Sequence, residues 1–167
     1  DIGIDASFLN QRINFELTNY SRVITDLLLT FPLPPSSGLA QQIVNGGQMS
    51  VKGWEFGITG VPIQRGEFTW TSRMNYTSNV QTVDNLLVDG QIVPDFAVPG
   101  SFGATYGRNR IATGLRSTLV WANAPLGAGG AVRDTIVGDA NPYHQTQFVN
   151  DFSYGRWTVS TLLDWRN

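Results

Sequence analysis

Asp5, Glu16 and Glu55 are the carboxylates whose spacing invites a chemical reading, because each alternates with apolar neighbours and so shares one side of an extended chain. Two carboxyl groups at a fixed separation are what a glycoside hydrolase needs. The same three suit a polar lining balanced by Arg12, Arg22 or Arg73, and that is the favoured reading. Asp134, Asp139 and Asn141 carry oxygens of the kind Ca²⁺ takes, but their spacing matches no EF-hand, so they are read as turn formers. His144 is the only histidine, and the chain has no cysteine, which leaves no partner set for a thiolate metal site or a cysteine nucleophile. It is read as an ordinary loop or strand-start residue. Gly127, Gly129 and Gly130 lack the G-K-[ST] ending of a phosphate loop and read as loop. Asn19 and Asn75 begin glycosylation sequons, but both fall inside expected strands and are discounted. No catalytic residue, cofactor or metal is assigned, and no enzyme is expected. Should a ligand be touched, the candidates are the long loops and the polar-side residues Glu16, Arg73 and Asn75. Trp54, Trp70 and Trp157 fall on the apolar side, where anchoring or packing is their expected role.

The elements that position these residues announce themselves by period two. Arg12 to Thr18 reads R-I-N-F-E-L-T: Ile13, Phe15 and Leu17 point one way, and Asn14, Glu16 and Thr18 the other. Only 14% of the 167 residues are charged, against about 25% in an ordinary soluble domain. A polar side built from Asn, Thr, Ser, Gln and Gly suits a wet lumen, and the apolar side suits lipid. The net charge of −2 and the single lysine, Lys52, give no basic patch for nucleic acid. No apolar run reaches 18 residues, so a spanning role would have to use strands.

The same alternation predicts strands at 2–8, 12–25, 48–60, 67–83, 101–107, 111–121, 145–154 and 157–165. The short turns between them fall at 10–11, 62–66, 108–109 and 155–156. Longer irregular stretches are expected at 26–45, 84–99 and 122–142, although Leu86, Leu87 and Val88 have the character to pack inside the second. Connections that run short, long, short, long suit an antiparallel up-and-down meander with one trimmed end and one elaborated end. Outer-membrane barrels have that form, with periplasmic turns and outer loops. Phe8, Phe68, Trp70, Tyr106, Tyr154 and Trp157 would then lie near the turn end as an interfacial girdle. The alternative is a soluble β-sandwich that binds carbohydrate, which also shows alternating strands and many aromatics. The two differ in what the apolar side meets.

Several segments also resemble a known family. They are G-I-D-A-S-F-L-N-Q-R-I-N-F-E-L-T-N-Y from Gly3, T-D-L-L-L from Thr25, P-L-P-P-S-S-G from Pro32, N-G-G-Q-M-S-V-K-G-W-E-F from Asn45, F-T-W-T-S-R-M-N-Y-T-S-N from Phe68 and V-G-D-A-N-P from Val137. Together, in this order, they resemble the SusC-like branch of TonB-dependent outer-membrane transporters. The resemblance implies an all-β fold in which residues 1–167 are about eight strands of a large barrel's later half, without a plug domain. It implies uptake of oligosaccharides or peptides across the Gram-negative outer membrane. It also implies three partners: outer-membrane lipid, the TonB system acting through a plug, and a SusD-like surface lipoprotein.

Overall fold

Alternating side chains and turn residues build a structure that is almost entirely strand. The computed structural model describes residues 1–98, 107–125 and 132–167, without the side chains of Pro32 and Val132. In chain order the strands are β1 (Ile2–Phe8), β2 (Ile13–Pro32), β3 (Gln41–Arg65), β4 (Phe68–Asn85), β5 (Leu87–Val88), β6 (Gln91–Ile92), β7 (Phe96–Ala97), β8 (Arg108–Ile111), β9 (Leu119–Pro125), β10 (Val132–Asp139), β11 (His144–Tyr154) and β12 (Trp157–Arg166). A 3₁₀ turn at Pro35–Ser37 ends on Gly38 in the left-handed region. No helix among the described residues is long and apolar enough to cross a membrane, which has no bearing on crossing by strands.

Six strands form one sheet in the order β1-β2-β3-β4-β11-β12. β1 pairs with β2, β4 with β11 and β11 with β12, each antiparallel. The antiparallel all-β wall expected from the sequence is present, and its ends are open. Among the described residues this sheet has six strands, and the chain between β4 and β11 enters two other sheets, β10-β9-β8-β7 and β5-β6.

The chain divides into two compact units. The first comprises residues 1–21, 52–80 and 142–167, and the second residues 22–51 and 81–141. In the first unit the register confirms the two-sided pattern. Phe148 sits between Met74 and Leu163, Phe152 between Trp70 and Val159, and Tyr154 between Phe68 and Trp157. The intervening rows are polar: Gln147 between Asn75 and Asp164, and Asp151 between Thr71 and Ser160. On β1 and β2, Ile4 faces Leu17 and Ala6 faces Phe15, whereas Asp5 faces Glu16 and Ser7 faces Asn14. The Phe15 and Phe56 rings meet edge to face at 5.4 Å, continuing the apolar side onto β3.

Every buried hydrophobic side chain among the described residues belongs to the second unit. Leu29, Val83, Leu86, Val88 and Val93 form its core, and Leu27, Phe31, Val44, Phe96 and Ile111 pack against them. The first unit has no such core. Ile2, Ile4, Trp54, Val159, Leu163 and Trp165 all stand exposed. A sandwich would have sealed this side against a second sheet.

Several expected boundaries move, each for a physical reason. The stretch 26–45 is largely strand, since β2 runs to Pro32 and β3 starts at Gln41. Asp26 takes φ 58 inside β2, and the alternation changes parity there: Val23 is exposed before it, while after it Leu28 is exposed and Leu29 is buried. The expected turn at 62–66 shortens, because β3 continues to Arg65 and Gly66 supplies the positive φ of 59. Pro62 lies within β3, directly after Val61, whose N–H bonds to the Arg12 carbonyl (2.8 Å). Arg108 and Asn109, expected as a turn, lie in β8, and the expected strand at 111–121 is broken between β8 and β9. The expected loop at 122–142 contains most of β9 and all of β10. Leu86 and Val88 do pack inside, while Leu87 stays exposed at the hairpin whose Asp89-Gly90 turn has φ 49 and 78. The expected strand at 101–107, Tyr106 and the glycines at 127, 129 and 130 lie outside the described residues, Gly107 excepted.

Candidate functional site

The polar side of the first unit is the surface that a solute in a lumen would meet, and period two alone decides which side chains reach it. One row crosses the sheet: Asp5 opposite Glu16 on β1 and β2, then Asn75, Gln147 and Asp164 on β4, β11 and β12. Gly57 of β3 lies within this row. A Cβ placed there would stand 3.6 Å from Asn75 Oδ1 and 3.7 Å from Glu16 Oε2, so the two side chains approach the glycine from opposite strands. The missing side chain leaves a polar hollow of about 230 Å³ lined by Glu16, Thr18, Glu55, Gly57, Asn75 and Thr77, among others.

Two of the three candidates from the sequence, Glu16 and Asn75, therefore share one hollow. Arg73 is on the same side but pairs with Asp151 at 2.5 Å, and Ser160 also donates to that carboxylate at 2.7 Å. Arg73 thus balances Asp151 rather than Asp5, Glu16 or Glu55. Further along, Gln145 and Arg166 both hold Asp164. Carboxylates, amides and hydroxyls in rows can hydrogen-bond a hydroxylated or amide-bearing solute without any bond-making chemistry.

The other candidates resolve individually. Asp134 binds Arg108 (2.5 Å) and Arg110 (3.4 Å), and Asp139 binds Arg116 (2.9 Å). Asp139 Oδ1 also accepts the Asn141 N–H at 3.0 Å, the Asx turn expected of these residues. No group of three or more His, Cys, Asp or Glu able to hold a metal occurs among the described residues. His144 starts β11 and packs against Tyr76 (6.0 Å) and Trp165 (5.3 Å). Both sequons are in strands, and Asn19 Nδ2 donates to the Gly53 carbonyl at 3.2 Å.

Sequence reasoning missed one cluster. Arg108, Arg110 and Asp134 meet with Asp95, and the Arg110 guanidinium lies 5.1 Å over Trp121. The R-x-R spacing of 108 and 110 was its only local signal, since on a strand it puts both side chains on one side.

On the apolar side, Trp70 stacks on Phe152 at 5.7 Å, and its Nε1 donates to Asn150 at 3.1 Å. Asn150 is the buried polar residue of the described set. Tyr154 and Trp157 flank the β11–β12 turn and are strongly exposed, as an interfacial girdle requires.

Comparison with known proteins agrees with this geometry. Residues 1–166 match the family described as TonB dependent receptor-like, beta-barrel. TonB-dependent receptor P26 of Formosa agariphila is 29% identical over 150 residues, covering 86% of this chain and 15% of the relative. TonB-dependent receptor SusC of Bacteroides thetaiotaomicron is 35% identical over 85 residues, covering 50% of this chain and 8% of SusC. A solved structure of the RagAB peptide importer in its open-open state superposes with TM-score 0.69 at 18% identity, over 98% of this chain and 19% of that one. An open antiparallel wall with one polar and one unsealed apolar side defines a piece of a β-barrel, and this chain belongs to the TonB-dependent receptor β-barrel family. It spans only a small fraction of the length of the relatives it matches.

Proposed function

We propose that this chain is barrel wall in a transporter of the Gram-negative outer membrane that imports oligosaccharides or peptides. The apolar side of the first unit faces lipid, its polar side faces the cargo, and the longer connections contribute outer loops. Energy reaches the barrel from the TonB system through a plug, and a SusD-like surface lipoprotein is the partner over the outer loops. Glu16 and Asn75 contact the cargo, while Arg73, tied to Asp151, holds the lining in place. The observation that carries the reading is the absence of any buried apolar side chain from the first unit among the described residues, although its apolar side is continuous. Lipid is the medium that makes such a side favourable. RagAB, which shares the fold, is described as a peptide importer, which supports peptide as one of the two cargo classes.

Uptake by cells lacking and then regaining the intact protein is the test. Labelled oligosaccharides and labelled peptides should separate, with one class entering only when the protein is present. Glu16→Gln and Asn75→Ala should lower that uptake several-fold at unchanged surface abundance. Equal uptake of both classes with and without the protein would contradict the proposal.

A further inference from the structure

At Gly57 two acceptor oxygens face the one point in their row where β3 carries no side chain. A Cβ there would have Asn75 Oδ1 at 3.6 Å on one flank and Glu16 Oε2 at 3.7 Å on the other. Neither oxygen has a hydrogen-bond partner among the described residues. Thr18, Glu55 and Thr77 help to line the hollow of about 230 Å³ around them. Gly53 shares this side of β3 two residues, about 6.6 Å, from Glu55, and the hydroxyl end of the Tyr20 ring lies over it. Charge on this side of the first unit is answered unevenly. Arg73 binds Asp151 and Arg166 binds Asp164, whereas Asp5, Glu16 and Glu55 enter no ion pair among the described residues. Asp5 also stands directly opposite Glu16 across β1 and β2, and like charges so placed destabilise a sheet.

Hydroxyl groups of a neutral sugar would satisfy the two oxygens but leave the repulsion between Asp5 and Glu16 in place. A cationic donor does both: its N–H groups bond to Glu16 and Asn75, and its charge offsets the like-charged pair. The Tyr20 ring favours the same sign, because the face of an aromatic ring attracts a cation. We infer that the hollow over Gly57 seats the ammonium or guanidinium group of a basic peptide side chain, so that basic peptides rather than neutral oligosaccharides are the cargo. The inference rests on the reading of Glu16 and Asn75 as cargo contacts.

The test is isothermal titration of the intact protein carrying this chain, purified in detergent, with two end-capped peptides of glycine and serine. One has a central lysine and the other a central acetyl-lysine. The lysine peptide should bind about fivefold tighter at low salt, the upper range for one solvent-exposed ion pair. The gap should close in about 1 M salt, where charges are screened within a few ångströms. Glu16→Gln should bring the ratio close to one. Asn75→Asp, which puts a second carboxylate beside Gly57, should widen it. Equal binding of the two peptides, no measurable binding of either, a ratio unchanged in Glu16→Gln or a ratio narrowed in Asn75→Asp would each overturn the inference. Glu16→Gln and Asn75→Ala separate it from the reading beneath it. Weaker binding of both peptides alike in these variants removes the charge preference only, and unchanged binding of both removes the cargo contact as well.

Discussion

Tyr20 and Gly53 show how single residues fix the wall. A Cβ on Gly53 would collide with the Tyr20 ring and with the Ser78 carbonyl oxygen, which lies 2.5 Å from its position. The glycine is thus the seat of the tyrosine ring, and its lack of a side chain is a packing requirement rather than a turn requirement. Gly53→Ala should cost about 1–3 kcal/mol through overpacking, read as a lowered urea midpoint of the refolded protein. Asn150 makes a second residue-scale case. It stands on the apolar side, where a polar group must find a partner, and the Trp70 indole N–H is that partner. Asn150→Ala should cost about 1–3 kcal/mol, whereas the same change in a Trp70→Phe background should cost much less, because donor and acceptor then leave together. The parity of these residues was readable in the sequence, and with it the sides taken by Glu16, Asn75, Phe148 and Phe152. The closeness of Glu16 to Asn75 was not, because it depends on Gly57 of a third strand lying between them.

Strands show where parity fails as a guide. The run Leu27 to Phe31 reads as irregular because it follows Asp26, whose φ of 58 shifts the alternation by one residue while the strand goes on. A left-handed conformation is costly for any residue but glycine, and least so for Asn and Asp. Asp26→Gly should leave the urea midpoint equal or higher, and Asp26→Val should lower stability by about 1–3 kcal/mol. Hydrogen exchange should place the loosening in β2 beyond residue 25, next to the Leu29 core. β8 and β10 escaped the sequence for a different reason: their contacts are distant along the chain, as in the Arg108–Asp134 pair. Asp134→Ala leaves Arg108 and Arg110 without their shared carboxylate, and exchange should accelerate in β8 and β10 while β11 and β12 stay protected. By contrast β1, β11 and β12 matched expectation almost residue for residue, because each alternates cleanly and ends at a tight turn.

At the scale of the molecule, two kinds of burial coexist in one chain. The second unit hides its apolar side chains in a dry core, as water-facing proteins do. The first unit leaves them outward over six adjoining strands and hydrogen-bonds its polar side chains along the opposite side. On β12 this outward row begins at Trp157 and ends at Trp165, with Val159, Thr161 and Leu163 between them. At about 3.3 Å per residue that row is about 26 Å long, of the order of the apolar band of outer-membrane barrels. Scarce charge in the composition had pointed only to the outward apolar side. What it lacked was the location of the core, because Leu and Val are equally suited to lipid and to a dry interior.

The most direct test introduces cysteines, which residues 1–167 lack, with any cysteine elsewhere in the intact protein replaced by serine. Single cysteines placed in turn from 158 to 164 in the intact protein, spin-labelled in vesicles, report collision with oxygen dissolved in lipid or with a water-soluble nickel chelate. Positions 159, 161 and 163 should favour oxygen, and 158, 160, 162 and 164 should favour the chelate, with Leu162 on the watery side despite its apolar side chain. Absence of alternation, or labels at 159, 161 and 163 shielded from both reagents, would contradict the wall.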